Sequence, residues 1–251
     1  MSAQGTAPFS PKSLMLPFQR RFAEDPAQFK IGIFSRQTGK SFTTAEQAVE
    51  DCLRDPGTKW VALSAGERQS LEWLEKARDW STAFKLAIEG ETEDRDSAEA
   101  LLKRAEITFK NGSRIIGIPA NPSTARGYSA NIILDEFAYH EDPDAIWAAM
   151  FPSISNELAG TFLARVNAAL KGDRVDGIRR ELKLRVVSTF NGRNNKFFDI
   201  AEKAPGNGFS KHLVTIEDAV RDGMPLNIQQ LHDALDDEDA WQQEFMCVPM
   251  D

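Results

Sequence analysis

Along the chain, short and wholly apolar runs alternate with longer stretches in which apolar residues recur every three to four positions. The runs at residues 29–34, 60–63, 131–138 and 184–189 are short and rich in β-branched or aromatic side chains. They predict strands buried on both faces, as in a mainly parallel sheet. Between the first two, Phe42, Ala45, Ala48, Val49, Cys52 and Leu53 keep helical spacing until Asp55-Pro-Gly57 stops it. Residues 67–88 predict a long amphipathic helix in which Leu71, Leu74, Ala77 and Phe84 mark one face and the tryptophans belong to the core. Pro17 opens a short helix over residues 16–22. Two β-like runs flank Asn111-Gly112 within residues 107–116, a hairpin signal. Asp142 before Pro143 caps a helix carrying Ile146, Trp147 and Met150, and another helix is expected over residues 157–170. The acidic run 89–99 reads as a solvated loop. Beyond residue 192, helical stretches alternate with one strand, 211–216. There Asp236-Asp-Glu-Asp239 suits the first turn of a solvated helix better than a metal site.

Strands and helices in this order over 251 residues fit one large α/β domain with a sizeable core. The 41% hydrophobic and 27% charged content is that of a globular protein. No apolar run reaches bilayer-spanning length, so no membrane contact is expected, and residues 1–16 lack the apolar centre of a signal peptide, so secretion is not expected either. Cys52 and Cys247 form neither a disulfide framework nor a zinc pattern; with His140, His212 and His232 they read as buried thiols and solvated or capping imidazoles. A net charge of −8 argues against coating nucleic acid over the whole surface. A local basic face is left open at residues 171–185, with Arg174, Arg179, Arg180 and Lys183, although a solvated helix face explains the same residues more simply.

The candidate chemistry begins where strand 29–34 runs into Ser35-Arg-Gln-Thr-Gly-Lys-Ser41 and a helix start. Gly39, Lys40 and Ser41 match the end of the phosphate-loop pattern G-x-x-x-x-G-K-[ST], while its first glycine is replaced by Phe34. Lys40 would reach the β- and γ-phosphates and Ser41 would offer its hydroxyl to Mg²⁺. The backbone N–H groups would face the anion with the helix dipole behind them. Asp135 and Glu136 end an apolar strand, at the sheet edge where open α/β folds bind ligands. Asp135 would hold Mg²⁺ beside Ser41, and Glu136 would orient and deprotonate the water attacking the γ-phosphate. Ser188 and Thr189 end another apolar strand, where hydroxyls reach a phosphate or that water. The Gln19 amide, which donates and accepts at once, suits an adenine edge.

In this order the motifs resemble the ATPase domain of the large terminase subunit of tailed bacteriophages. Ser35-Arg-Gln-Thr-Gly-Lys-Ser41 is similar to the terminase phosphate loop, in which the first glycine is typically absent, and Leu16-Pro-Phe-Gln19 to its adenine-binding motif. Pro122-Ser-Thr-Ala-Arg-Gly127 precedes the acidic strand as in that family. Val187-Ser-Thr-Phe-Asn-Gly192 resembles the coupling motif, with Ser188, Thr189 and Asn191 as its polar members and Phe190 where proline is common. Trp241-Gln-Gln-Glu-Phe-Met-Cys247 is similar to the end of the ATPase region.

The resemblance implies a P-loop NTPase fold of the ASCE type: a central, mainly parallel sheet flanked by helices, with an additional strand between the phosphate loop and the acidic strand. It implies a core over residues 1–192 and a small lid over 193–251. ATP and Mg²⁺ are the implied cofactors, with Ser35, Arg36, Gln37, Thr38, Gly39, Lys40 and Ser41 around the nucleotide. Arg126 is the implied arginine finger, reaching a neighbouring subunit's γ-phosphate, and Arg36 the sensor within its own subunit. The implied partners are double-stranded DNA, the portal protein and the small terminase subunit. The implied assembly is a homo-oligomeric ring on the procapsid in the cytoplasm of the infected bacterial host, with a monomer as the alternative for the isolated chain. Members of that family usually continue into an RNase H-like nuclease, so a chain ending here is expected to have no cutting activity. Residues 151–185 look longer than the family's usual link, an insertion with its own surface. A helicase-like motor and a non-catalytic nucleotide-binding assembly module are the rival readings.

Overall fold

The computed structural model describes residues 10–89, 105–156, 161–177 and 179–251. Seven strands, β1 (Phe29–Phe34), β2 (Lys59–Ser64), β3 (Glu106–Thr108), β4 (Arg114–Pro119), β5 (Asn131–Asp135), β6 (Leu184–Ser188) and β7 (Ser210–Val214), form one sheet in the order β3-β4-β2-β5-β6-β1-β7. Every neighbouring pair is parallel except the β3–β4 hairpin, where Ile107 faces Ile115 across the expected Asn111-Gly112 turn. The sheet is therefore mainly parallel, and β6 is the additional strand between β1, which feeds the phosphate loop, and the acidic strand β5.

Alternation along each strand sends side chains to two cores. Trp60, Ala62, Ile115 and Ile133 meet α2 (Lys40–Arg54) and α3 (Glu67–Glu89) on one face. Val61, Leu63, Ile132, Leu134, Ile31, Ile33 and Val186 pack on the other against α5 (Pro143–Met150) and α7 (Lys196–Lys203). Trp73 and Trp80 of α3 lie in the first core, as their helical spacing implied. Their indole N–H groups donate to Thr44 Oγ1 at 3.0 Å and the Phe42 carbonyl at 2.8 Å, so their burial leaves no polar atom unpaired.

Helix α1 (Pro17–Glu24) is held on the outer flank of β1 by Lys30, whose ammonium is buried and donates to the carbonyls of Phe22 and Asp25. Burial, with Arg185 beside it, pulls that ammonium down to about 6. Phe34 at the end of β1 meets Phe18 and Phe22 of α1 edge to face, at centroid distances of 5.9 and 5.4 Å. The position where a phosphate loop ordinarily carries glycine is here an anchor for α1.

Beyond residue 192, the stretch expected as a lid supplies β7 to the central sheet, with Lys30 paired to Ser210 and Phe34 to Val214. At that edge Asp25 accepts from Ser210 Oγ and lies 2.7 Å from His212 Nε2. The chain then continues through α8 (Ile216–Arg221), α9 (Ile228–Leu235) and α10 (Glu238–Glu244). Asp237 caps α10 by accepting from Ala240 N at 2.9 Å, which gives the acidic cluster the helix-start role expected of it.

The helix expected over 157–170 is seen as α6 (Phe162–Leu170); residues 157–160 lie outside the described residues, as does most of the acidic run 89–99. Two expectations about the fold differ from what is seen. Residues 171–183 form no helix among the described residues. Two of their cations reach back, Arg180 donating to Thr58 Oγ1 at 3.0 Å and Lys183 pairing with Asp51 at 2.8 Å, while Lys171, Arg174 and Arg179 stay exposed; Arg185 of β6 is buried. His140, expected at the surface or on a cap, is buried beneath the acidic strand. No helix among the described residues is long and apolar enough to cross a membrane.

Candidate active site

Parallel pairing sets the site. Ile33 of β1 lies opposite Ser188 of β6, and Val187 of β6 opposite Asp135 of β5. Consequently Ser35, Ser188-Thr189 and Asp135-Glu136 leave the sheet at one edge, from three adjacent strands.

The loop after β1 turns through left-handed backbone at Gln37 (φ 56°) and Gly39 (φ 86°) before α2 begins at Lys40. Gln19 closes over it from α1: its Nε2 donates to the Thr38 carbonyl at 2.9 Å while its Oε1 accepts from Leu16 N at 2.9 Å. A Cβ on Gly39 would lie 2.5 Å from Gln19 Nε2, so position 39 demands glycine for backbone and space alike. The amide expected against an adenine edge thus braces the loop, and it is 6% exposed. Thr38 Oγ1 donates to the Ser35 carbonyl at 2.7 Å, closing the turn from inside.

Lys40 is buried, with Nζ at 3.4 and 3.5 Å from the Phe34 and Ser35 carbonyls and 3.2 Å from Glu136 Oε1. Ser41 Oγ lies 2.9 and 3.1 Å from the two oxygens of Asp135. The cationic loop and the acidic strand end therefore meet directly. Burial and the neighbouring Glu136 raise the Asp135 carboxyl above its ordinary range, while Ser41 and Lys40 pull it back. The Asp135 carbonyl is held 3.0 Å from His140 Nε2, and burial pushes that imidazole down to about 4, so His140 stays neutral.

Glu136 adopts left-handed backbone (φ 51°), which turns its carboxylate back over the sheet edge. Ser188 Oγ lies 3.4 Å from Glu136 Oε2 and accepts from Ala138 N at 3.2 Å, and Asn191 donates to the Ala138 carbonyl at 3.1 Å. Thr189 takes another direction, toward Tyr139 Oη at 3.1 Å and Glu244 Oε2 at 3.3 Å.

Arg36 and Gln37 are exposed at the mouth of a cavity of about 520 Å³, whose other walls include Met224, Leu226, Leu231, Leu235 and Phe245. Arg126, just past α4 (Pro122–Ala125), is exposed and makes no hydrogen bond or ion pair among the described residues. No hydrogen bond or ion pair among the described residues joins it to Lys40, Ser41, Asp135 or Glu136. Glu244 and Tyr139 are polar members of the site that the motifs did not single out. The sole hint of Glu244 was its place inside Trp241-Gln-Gln-Glu-Phe-Met-Cys247.

The donors fit a small, hard divalent ion. One carboxylate and one hydroxyl in contact leave its remaining positions to phosphate and water, as magnesium prefers.

The family described as terminase large subunit, T4-like virus type, N-terminal, matches residues 31–251. Protein gp28 of a Mu-like prophage of Haemophilus influenzae is 25% identical over 270 residues, covering 96% of this chain and 47% of that protein. The probable large terminase subunit gp28 of Escherichia phage Mu is 26% identical over 222 residues, covering 84% of this chain and 36% of its own length. The chain thus spans half or less of the curated relatives it matches. Among solved structures, the large terminase ATPase domain of Thermus phage P74-26 superposes with a TM-score of 0.62 at 16% identity, over 93% of each chain. The fold is that of such domains, a P-loop NTPase fold.

Proposed function

The chain belongs to the T4-like terminase large subunit family, as its N-terminal domain, and on that premise we propose that it hydrolyses ATP to drive double-stranded DNA into a procapsid. The observation that carries this reading is the meeting of Lys40, Ser41, Asp135 and Glu136 at one sheet edge. Lys40 presents a buried charge to the β- and γ-phosphates, and the N–H groups at the start of α2 face the same anion. Magnesium bound at Ser41 and Asp135 would neutralise charge on the phosphate oxygens in the transition state. Glu136, fixed by Lys40 and Ser188, takes the proton of the attacking water.

Leu226, Leu231 and Phe245 give the cavity beside Arg36 apolar walls suited to a nucleotide base. Arg126 is exposed and not engaged by its own loop among the described residues, which leaves it available to a neighbouring copy in a ring. DNA, portal protein and small subunit are the partners this reading assigns, in the cytoplasm of the infected host.

The test is phosphate release per chain, measured across protein concentration with and without duplex DNA. A rate that climbs with concentration, and that Arg126→Ala lowers by about 10³-fold, is expected. A rate per chain that is flat with concentration, indifferent to DNA and unchanged by Arg126→Ala would remove the motor reading.

A further inference from the structure

At the sheet edge Asp135 has a strand on each side. On the β6 side Ser188 is engaged, accepting from Ala138 N at 3.2 Å and lying 3.4 Å from Glu136 Oε2. On the β2 side stands Ser64, the last residue of its strand, which no motif assigned. The parallel register sets Leu63 opposite Leu134, so the next position sets Ser64 beside Asp135. Strand alternation fixes the face as well. Trp60 and Ala62 of β2 and Ile133 of β5 belong to the core under α2 and α3, whereas Leu63 and Leu134 belong to the opposite one. Ser64 and Asp135 therefore project to the α2 side, the side from which Ser41 meets Asp135.

The Ser64 hydroxyl is the anomaly. The residue is 1% exposed, and its Oγ has no hydrogen-bond partner among the described residues. A hydroxyl taken out of water without a partner costs free energy that alanine in the same place would not. The backbone beneath it is fixed, because the Ser64 carbonyl accepts from Ala120 N at 2.8 Å and so extends the β2–β4 ladder past the strand end. Neighbouring strands lie about 4.8 Å apart, a separation that one water molecule bridges between two short polar side chains. Magnesium held by Ser41 and Asp135 would keep several waters of its own, and a metal-bound water is a strong donor that needs an acceptor.

We propose that Ser64 is a positioning residue for the metal: its hydroxyl accepts a hydrogen bond from a water molecule carried by magnesium at Ser41 and Asp135. This rests on the reading of Ser41 and Asp135 as the magnesium ligands of a nucleotide site. The unpartnered hydroxyl gains its bond only with the metal in place, and it steadies the metal from the β2 side, leaving the β6 side to Glu136. Ser64 acts through the metal's water and not on the nucleotide itself, so its effect falls on metal-dependent affinity. Its size is about tenfold, the lower end of what outer partners of metal sites contribute.

The experiment measures the affinity of the intact chain for the slowly hydrolysed analogue ATP-γ-S, with saturating Mg²⁺ and again with EDTA, in wild type, Ser64→Ala, Asp135→Asn and the double variant. The readout is the gain in affinity that magnesium confers, which does not depend on turnover. Ser64→Ala should reduce that gain about tenfold, with affinity in EDTA equal to that of wild type. Asp135→Asn should abolish the gain, and Ser64→Ala should cost nothing further in its background. Without nucleotide or metal, Ser64→Ala should melt no lower than wild type, since it deletes a buried hydroxyl that has no partner. Ser64→Cys, close to serine in size but a weak hydrogen-bonding group, should lose the gain likewise, which excludes a packing defect as the cause. Equal losses with magnesium and with EDTA would assign the hydroxyl to the nucleotide or to the frame and overturn the proposal. An undiminished gain in Ser64→Ala would overturn it too and leave the magnesium site standing. A wild-type chain that gains nothing from magnesium, or binds no analogue, would remove both the proposal and the reading it rests on.

Discussion

Glu46 lies on a covered side of α2 with neither carboxylate oxygen hydrogen-bonded, and burial beside Glu50 raises it from its ordinary 4.5 to about 8. The unfolded chain releases this proton near 4.5 whereas the folded chain holds it to about 8. Stability therefore falls as pH climbs through that window, and the loss is complete above it. Glu46→Gln removes the ionisation and should stabilise the fold by about 2 kcal/mol at pH 8.5 and by far less at pH 5. Thermal melting of both proteins at the two pH values checks this; a gain that does not grow with pH would contradict it. The helical period of residues 42–53 made α2 legible, but not the burial of Glu46. Lys12, which pairs with Glu50 at 2.8 Å, and α1, whose Ala23 carbonyl accepts from Gln47, fold over a helix face that the pattern leaves polar. His140 was misread for the same reason: a single imidazole carries no sequence signal of its depth.

Among elements, the joint between β1 and α2 concentrates the most constraint. Gly39→Ala would place a methyl group against Gln19 in backbone that alanine adopts only under strain. Loss of ATP-γ-S affinity by about tenfold or more, with a drop of about 1–2 kcal/mol in stability, is expected from titration and melting of that variant. Unaltered affinity would show that the loop tolerates another path. This joint was readable because its residues are contiguous: strand, Gly-Lys-Ser and helix follow one another, and so do β5 and its two carboxylates. The strand at 210–214 was readable as well, but not its partner, since a short β-like run says nothing of which strand it will join. Only the sheet order reveals that β7 borders β1. The basic run 171–185 misled in part, because charge spacing alone does not distinguish a solvated helix from an irregular segment in which Lys183 and Arg180 reach back to Asp51 and Thr58.

At the scale of the molecule, a parallel sheet with β6 between β1 and β5 delivers a cationic loop, two carboxylates and two hydroxyls to one edge, with helices shielding both faces. The C-terminal segment is joined to this edge twice, through β7 beside β1 and through Glu244 beside Arg36. Contacts such as Glu244 with Tyr139 arise only when the sheet closes, which is why they could not be read along the chain. The central claim is that Lys40, Ser41, Asp135 and Glu136 act on one triphosphate. Its most direct measurement compares wild type with Glu136→Gln, following ATP-γ-S binding and phosphate release from Mg-ATP side by side. Comparable binding with release slowed by about 10²-fold or more is predicted; equal release by the two proteins would contradict it.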